Sequence, residues 1–259
     1  MFLNRKDVNV YLFDVDGTLV IDGVIPESAK NVIEELREEG SLVMLATGRS
    51  QGQIKEITDQ IDVDGFIQNN GAYATLGKDI LYESAINPET IWKLHNDGLN
   101  ISVLTKDRFV RFNNTNKAFK KFAESLKIEE PKKGDTAMID RDKIYSLTIS
   151  SLDPEKEIDQ KRYPDLRFIR VSEYGYDVVN KNTTKASAFD AIKAKYPKGH
   201  IIAFGDNLND LEMLDEADLS VCMPNSPQEC KKASSYVTRD PLNDGIEFAI
   251  NNFVKRVIE

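Results

Sequence analysis

The stretch VYLFDVDGTLV, Val10 to Val20, decides how the rest of the chain is read. Val10, Leu12 and Phe13 belong to an apolar run with the composition of a buried strand. Asp14 and Asp16 stop the run, and Gly17 breaks it. Two like charges one residue apart repel unless something positive lies between them. A chain that places them where a strand ends needs a reason to do so.

Working outward, the first 70 residues alternate strand and helix. Pro26 opens a helix whose apolar residues Ala29, Val32, Ile33 and Leu36 recur at helical spacing, and Gly40 closes it. A second strand is expected over 42–46, a second helix over 51–61 and a short third strand over 65–68. Units this compact imply parallel pairing with right-handed crossovers. The last 75 residues repeat the style, with helices over 185–196, 207–217 and 244–258 and strands over 200–204 and 219–222. The apolar stretch IIAF, Ile201 to Phe204, is continuous rather than alternating, which suits a sheet covered on both faces.

The middle of the chain differs. A hairpin-like pair flanks TKDR (105–108), and a helix carries Phe119, Phe122 and Leu126. The loop KIEEPKKGD follows, then a strand over 144–149, a helix over 154–161 and strands over 166–171 and 176–179. Strands that pair locally indicate an α+β unit. The expected architecture is therefore α/β, a Rossmann-like parallel-sheet core with an inserted α+β domain. The boundaries are 1–83 for the first part of the core, 84–178 for the insert and 179–259 for the second part.

Composition bounds the function. The 259 residues carry a formal net charge of -9, with 41% hydrophobic and 30% charged residues, an ordinary globular balance. A surface this acidic argues against nucleic acid as a partner. No segment approaches the roughly 20 apolar residues of a membrane span, and the charged N-terminus is unlike a signal peptide. Cys222 and Cys230 match no zinc or redox spacing and read as small apolar fillers in a reducing compartment. The expectation is a cytoplasmic protein, monomer or homodimer, with no membrane partner. Two histidines, His95 and His200, are too few for a histidine-rich metal site and read as packing or surface residues.

In open α/β sheets, ligands bind beyond the carboxyl ends of the strands. Four polar clusters follow the four inner strands: DVDGT (14–18), TGR (47–49), NNGA (69–72) and GDNLND (205–210). Parallel strands would bring all four to one edge. Asp14, Asp16, Asp206 and Asp210 then form a set of oxygen donors with no nearby histidine or cysteine. Such a set suits a hard cation, and Mg²⁺ best, since it takes few carboxylates and shares its shell with a substrate phosphate. The plainer reading of Asp206 and Asp210 is helix capping. Arg49 and Lys185 supply positive charge, Lys185 in the first turn of a helix capped by Thr183 or Thr184. Thr47 can offer a hydroxyl and a backbone N–H to a phosphate oxygen.

These motifs, in order, resemble those of the haloacid dehalogenase superfamily: DVDGT, TGR, the lysine of NTTKAS (182–187) and GDNLND. The long separation of the second and third motifs, NNGA, and MPNS (223–226) downstream are similar to its Cof-like phosphatase branch, subclass IIB, whose C2-type cap sits in this position. The resemblance implies an enzyme, a Mg²⁺-dependent phosphatase acting on small organic phosphates such as sugar phosphates. It implies Asp14 as nucleophile and Asp16 as general acid and base. Mg²⁺ would be held by Asp14, the Asp16 carbonyl and Asp206. Thr47, Gly48, Lys185 and Asn209 would contact the phosphate, and Arg49 would face the phosphate or the cap. Asp210 would orient Lys185 or a metal water, and Thr18 would brace the Asp14 loop. Tyr174 and Tyr176 are candidate leaving-group selectors in the cap. Two rivals stand beside this reading. A phosphohexomutase of the same superfamily shares DVDGT and an inserted cap, and a non-catalytic regulatory protein could occupy the same scaffold.

Overall fold

The computed structural model describes residues 7–112, 117–126, 128–153 and 158–258. The chain opens with β1 (Val10–Asp14), β2 (Leu42–Ala46), β3 (Gly65–Gln68), β4 (Tyr73–Leu76) and β5 (Asp79–Glu83). It then builds a second sheet from β6 (Asn100–Leu104), β7 (Phe109–Arg111), β8 (Lys132–Lys133), β9 (Ser146–Ser150), β10 (Leu166–Ser172) and β11 (Gly175–Asn180). It returns to the first sheet with β12 (Ile201–Gly205), β13 (Leu219–Cys222) and β14 (Tyr236–Val237).

The first sheet runs β14-β13-β12-β1-β2-β3-β4-β5, and the second β10-β11-β9-β6-β7-β8. From β14 to β3 every pairing is parallel, with β1 central between β2 and β12. All five residues of β1 are buried because both faces of the sheet are covered. Tyr11 and Phe13 pack with Ala29, Val32, Ile33 and Leu36 of the helix Glu27–Glu38. Val10 and Leu12 pack on the other side with Phe189 and Ile192. The second sheet is antiparallel except at β7–β8, and has its own core around Ile91, Leu94, Val103, Leu147 and Val178. The fold is thus α/β with a parallel-sheet core and an inserted α+β cap.

Several elements depart from the sequence expectation. The hairpin β4–β5 extends the core sheet antiparallel beyond β3, where no strands were expected. The helix expected over 51–61 is a 3₁₀ turn, Gln51–Gln53, followed by the short helix Lys55–Thr58. The cause is tertiary. Gln51 N–H donates to the Lys106 carbonyl of the second sheet at 3.0 Å. A Cβ on Gly52 would lie 2.5 Å from the Asp107 carbonyl oxygen. The first turn is therefore pinned to the β6–β7 turn. The helix expected from Lys185 starts at Phe189. Thr184 N–H donates to Ser187 Oγ, and Ala186 N–H to Thr184 Oγ1, closing a side-chain turn that holds Lys185 ahead of the helix. The segment expected as one helix over 207–217 opens as a 3₁₀ turn, Leu208–Asp210, before the helix Leu211–Glu216. The closing helix contains a π segment, Ile250–Val254. Of the helix expected over 154–161, residues 154–157 lie outside the described residues, and a 3₁₀ turn, Gln160–Arg162, ends it.

Cys222 and Cys230 are buried, unpaired and packed with Leu214. His95 packs edge-on to Trp92 and Phe112, and His200 is exposed, so both histidines are the packing and surface residues expected. No helix among the described residues is long and apolar enough to cross a membrane.

Candidate active site

The carboxyl ends of β1, β2, β3 and β12 open into a cavity of about 430 Å³ that the second sheet roofs. At its floor stands Asp14, the last residue of β1 and only 4% exposed. Asp14 Oδ1 accepts a hydrogen bond from Lys185 Nζ at 2.5 Å. Asp14 Oδ2 is buried with no hydrogen-bond partner among the described residues. A buried carboxylate oxygen left unpaired is costly, so a native fold keeps one where something else binds.

Lys185 is fully buried and donates a second bond to Asp210 Oδ1, also at 2.5 Å. The other oxygen of Asp210 accepts from the N–H groups of Asp206 (3.0 Å) and Asn207 (3.1 Å). Asp210 therefore ties the loop after β12 together and aims Lys185 at Asp14. The local sequence permits this only with glycine at two places. A Cβ on Gly205 would sit 2.7 Å from Asp210 Cβ. Gly17, at φ +89°, would place one 2.5 Å from Asp206 Oδ2. Thr18 Oγ1 donates to Asp206 Oδ1 at 3.4 Å, so the DVDGT and GDNLND loops brace each other.

Asp14, Asp206 and Asp210 bring carboxylate oxygens within 4.8 Å of one another, with Lys185 as the buried counter-charge. Burial, then the charge of Asp210, drives Asp14 well above the usual carboxylate range, with Lys185 pulling the other way. Burial and the Asp210 charge push Asp206 up to about 6. Burial works against the Lys185 charge, but Asp14 and Asp210 outweigh it and raise its pKa. Three carboxylates against one ammonium leave an excess of negative charge, which a divalent cation balances. The donors fit such an ion. They are all oxygen, Asp14 Oδ2 is unpaired, and the Asp16 carbonyl accepts no hydrogen bond among the described residues.

Asp16 lines the same cavity, with its exposed carboxylate gripped by Arg49 through Nη2 at 2.6 Å and Nε at 2.9 Å. Arg49 thus faces Asp16 and the Gln53 carbonyl rather than the cap. Thr47 N–H donates to the Ile67 carbonyl at 2.8 Å, completing the β2–β3 ladder. The expected backbone N–H at Thr47 is therefore taken, and Thr47 has its hydroxyl to offer. Gly48 and Asn209 line the cavity as expected.

The sequence profile of the haloacid dehalogenase-like hydrolases matches residues 11–250, which spans both halves of the core and the whole insert. The chain belongs to that family. Among relatives of this haloacid dehalogenase-like hydrolase, YkrA of Bacillus subtilis is 28% identical over 94% of this chain and 97% of its own. A solved protein from Geobacillus kaustophilus HTA426 superposes with a TM-score of 0.86 at 25% identity, covering 95% of this chain and 99% of that one. A structure described as a subclass IIB sugar phosphatase of the same superfamily superposes at 0.80, with the same identity and coverage.

In this hydrolase the NNGA cluster does more than its sequence announced. Asn69 and Asn70 both adopt φ +52°, and Gly71 follows at +98°. A Cβ on Gly71 would lie 1.8 Å from the Thr184 carbonyl, so this turn packs directly against the loop that carries Lys185. Asn70 Oδ1 accepts from Asn209 at 3.4 Å, and its Nδ2 donates to Asp177 Oδ2 at 3.0 Å. Asp177, on β11, also accepts from Thr148 Oγ1 at 3.3 Å, and burial pushes it up to about 6. Asn70, Thr148 and Asp177 thus join core to cap; the sequence placed Asn70 in a cluster at the sheet edge without this role, and it missed Thr148 and Asp177. A paired-asparagine turn was the one local signal for Asn70, while nothing local marks Asp177. Tyr174 and Tyr176, the expected selectors, do not line the cavity. The Tyr176 hydroxyl instead accepts from Arg170 at 2.6 Å, and the Tyr174 ring lies near the Lys121 ammonium.

Proposed function

We propose that the protein is a Mg²⁺-dependent phosphatase that hydrolyses small organic phosphate monoesters, sugar phosphates among them, through an aspartyl-phosphate. The observation that carries this is the unpaired Oδ2 of Asp14, buried beside Lys185 at the floor of a cavity that Asp16 also lines. Asp14, the Asp16 carbonyl and Asp206 would hold Mg²⁺, which when bound offsets the carboxylate charge and polarises the phosphoryl group.

The chain's own residues do the rest. Asp14 attacks phosphorus and the ester P–O bond breaks, while Asp16 gives its proton to the departing oxygen. Asp16 then takes a proton from water, whose oxygen attacks the aspartyl-phosphate, releasing phosphate and restoring Asp14. Lys185, the Thr47 hydroxyl, Gly48 and Asn209 hold the transferring oxygens, and this positioning is the main work of phosphoryl transfer. Thr18 and Asp210 keep the loops and Lys185 in place. A phosphate entering the cavity competes for Arg49 and so frees Asp16 to act.

The proposed division of the chain is core over 1–83 and 179–259 with the cap over 84–178, acting in the cytoplasm as a monomer or homodimer. The test is phosphate release from p-nitrophenyl phosphate with Mg²⁺, with EDTA, and in Asp14→Asn and Asp16→Asn. EDTA and either substitution should abolish turnover, and Asp16→Asn should keep the Mg²⁺ affinity because its ligand is backbone. Turnover indifferent to EDTA and to Asp14 overturns the reading.

A further inference from the structure

The cavity over Asp14 has two unlike ends. Its floor is mostly charged and polar, with Asp14, Asp16, Thr47, Arg49, Asn70 and Asp206, and with Leu208 as an exposed apolar side chain. At the roof the polar side chains that reach the cavity are engaged with protein. Arg167 pairs with Glu212 across the core–cap boundary at 2.7 Å. Arg170 donates to the Tyr176 hydroxyl at 2.6 Å and to the Glu173 carbonyl at 3.0 Å. Asp177 accepts from Asn70 and Thr148. The wall beside them is apolar: Leu104, Phe109, Phe122, Leu126, Ile128 and Val171, drawn from three strands, a helix and the loop after it.

The volume, about 430 Å³, is within the range of pockets that enclose a whole small-molecule ligand, and so exceeds what a phosphoryl group alone needs. A leaving group that fills the remainder must lie on the apolar wall. A bare polyol there would exchange water for an apolar wall and for polar groups already engaged with protein. A flat ring loses only the hydration of its apolar faces and gains contact with the half-buried Phe109 and Leu126.

We infer that the preferred leaving group is an alcohol carrying a planar, largely apolar ring, aromatic or heteroaromatic, seated against Phe109 and Leu126. This rests on the phosphatase reading above. The ester P–O bond breaks as described there. The ring-bearing alcohol departs with the ester oxygen and the Asp16 proton, and water supplies the oxygen gained by phosphate.

The experiment compares kcat/KM for 2-phenylethyl phosphate and glucose 6-phosphate on the Mg²⁺-loaded enzyme. Both are primary alkyl monoesters, so leaving-group acidity does not favour the ring strongly. Acetyl phosphate, too small to reach the wall, reports the core chemistry. The expected result is a preference of roughly tenfold or more for the phenylethyl ester, the scale at which pockets sort apolar groups. The ratio should fall toward one in Phe109→Ala and in Leu126→Gln, two changes on separate elements, through a rise in KM for the phenylethyl ester. Equal or better use of glucose 6-phosphate, or a ratio unmoved in both variants, overturns the inference while leaving the phosphatase reading intact. Failure to turn over any of the three phosphates overturns both.

Discussion

The two sheets furnish opposite walls of one cavity by different geometric means. In the core sheet each functional cluster is the few residues that follow a parallel strand: DVDGT after β1, TGR after β2, NNGA after β3 and GDNLND after β12. Parallel pairing in register brings those ends together. In the cap sheet the cavity is lined by side chains inside strands and on a helix: Thr148 in β9, Asp177 in β11 and Phe122 in the helix Lys117–Leu126. Their convergence depends on antiparallel register and on how the cap sits over the core. Chemistry is thus built on strand ends, where neighbouring residues already share a destination. The reach toward the leaving group is built on faces, where they do not.

That contrast can be broken by experiment, beginning with the floor. Asp14→Asn should cut phosphate release by roughly 10⁴-fold or more, because it removes the proposed covalent nucleophile. Near-normal turnover in a phosphate-release assay would mean that the floor is not where chemistry occurs. Lys185→Met should follow in size. It leaves Asp14 and Asp210 buried without their counter-charge, and should cost about 3–5 kcal/mol of stability by urea unfolding. If stability is unchanged, the buried triad does not organise the floor.

Gly17→Ala tests the loop geometry rather than the charges. Its φ of +89° and the 2.5 Å approach of a Cβ to Asp206 Oδ2 predict a shifted Asp206 carboxylate. The expected outcome is a Mg²⁺ affinity about 10–100-fold weaker, read from activity against metal concentration. The smallest effect belongs to the roof. Asp177 has a pKa near 6 in the folded chain against 3.8 for the ordinary carboxyl. The native state therefore binds more proton than the unfolded chain between those values. Stability falls as pH rises from about 4 to about 6, and the loss is complete above that. Asp177→Asn removes this loss, so the gain in Tm over the parent should be larger at pH 7.5 than at pH 5. A gain independent of pH would show that Asp177 is not held near the core by a buried charge.

Legibility followed the same division. Continuous apolar strands, their order and the polar clusters behind them could be read from periodicity, since burial on both faces leaves a plain mark on β1 and β12. The 51–61 helix failed because Gln51 and Gly52 answer to Lys106 and Asp107, residues of the other sheet. The start of the helix after Lys185 failed because hydroxyls of Thr184 and Ser187 compete with helical bonding. The hairpin β4–β5 was missed because an edge extension with partly exposed residues carries a weak pattern.

By itself the sequence determined that four polar clusters follow strands that would bring them to one sheet edge, and which carboxylates they hold. Parallel strands make that convergence a local property, since each cluster has only to follow its own strand. Only the tertiary structure decided that Lys185 bridges Asp14 and Asp210, that Arg49 grips Asp16, that Asn70 and Asp177 couple core to cap, and that an apolar wall faces the site. Those contacts join residues as much as 171 positions apart. Their geometry is set by sheet register and by the seating of one core over another, neither of which leaves a period in the chain.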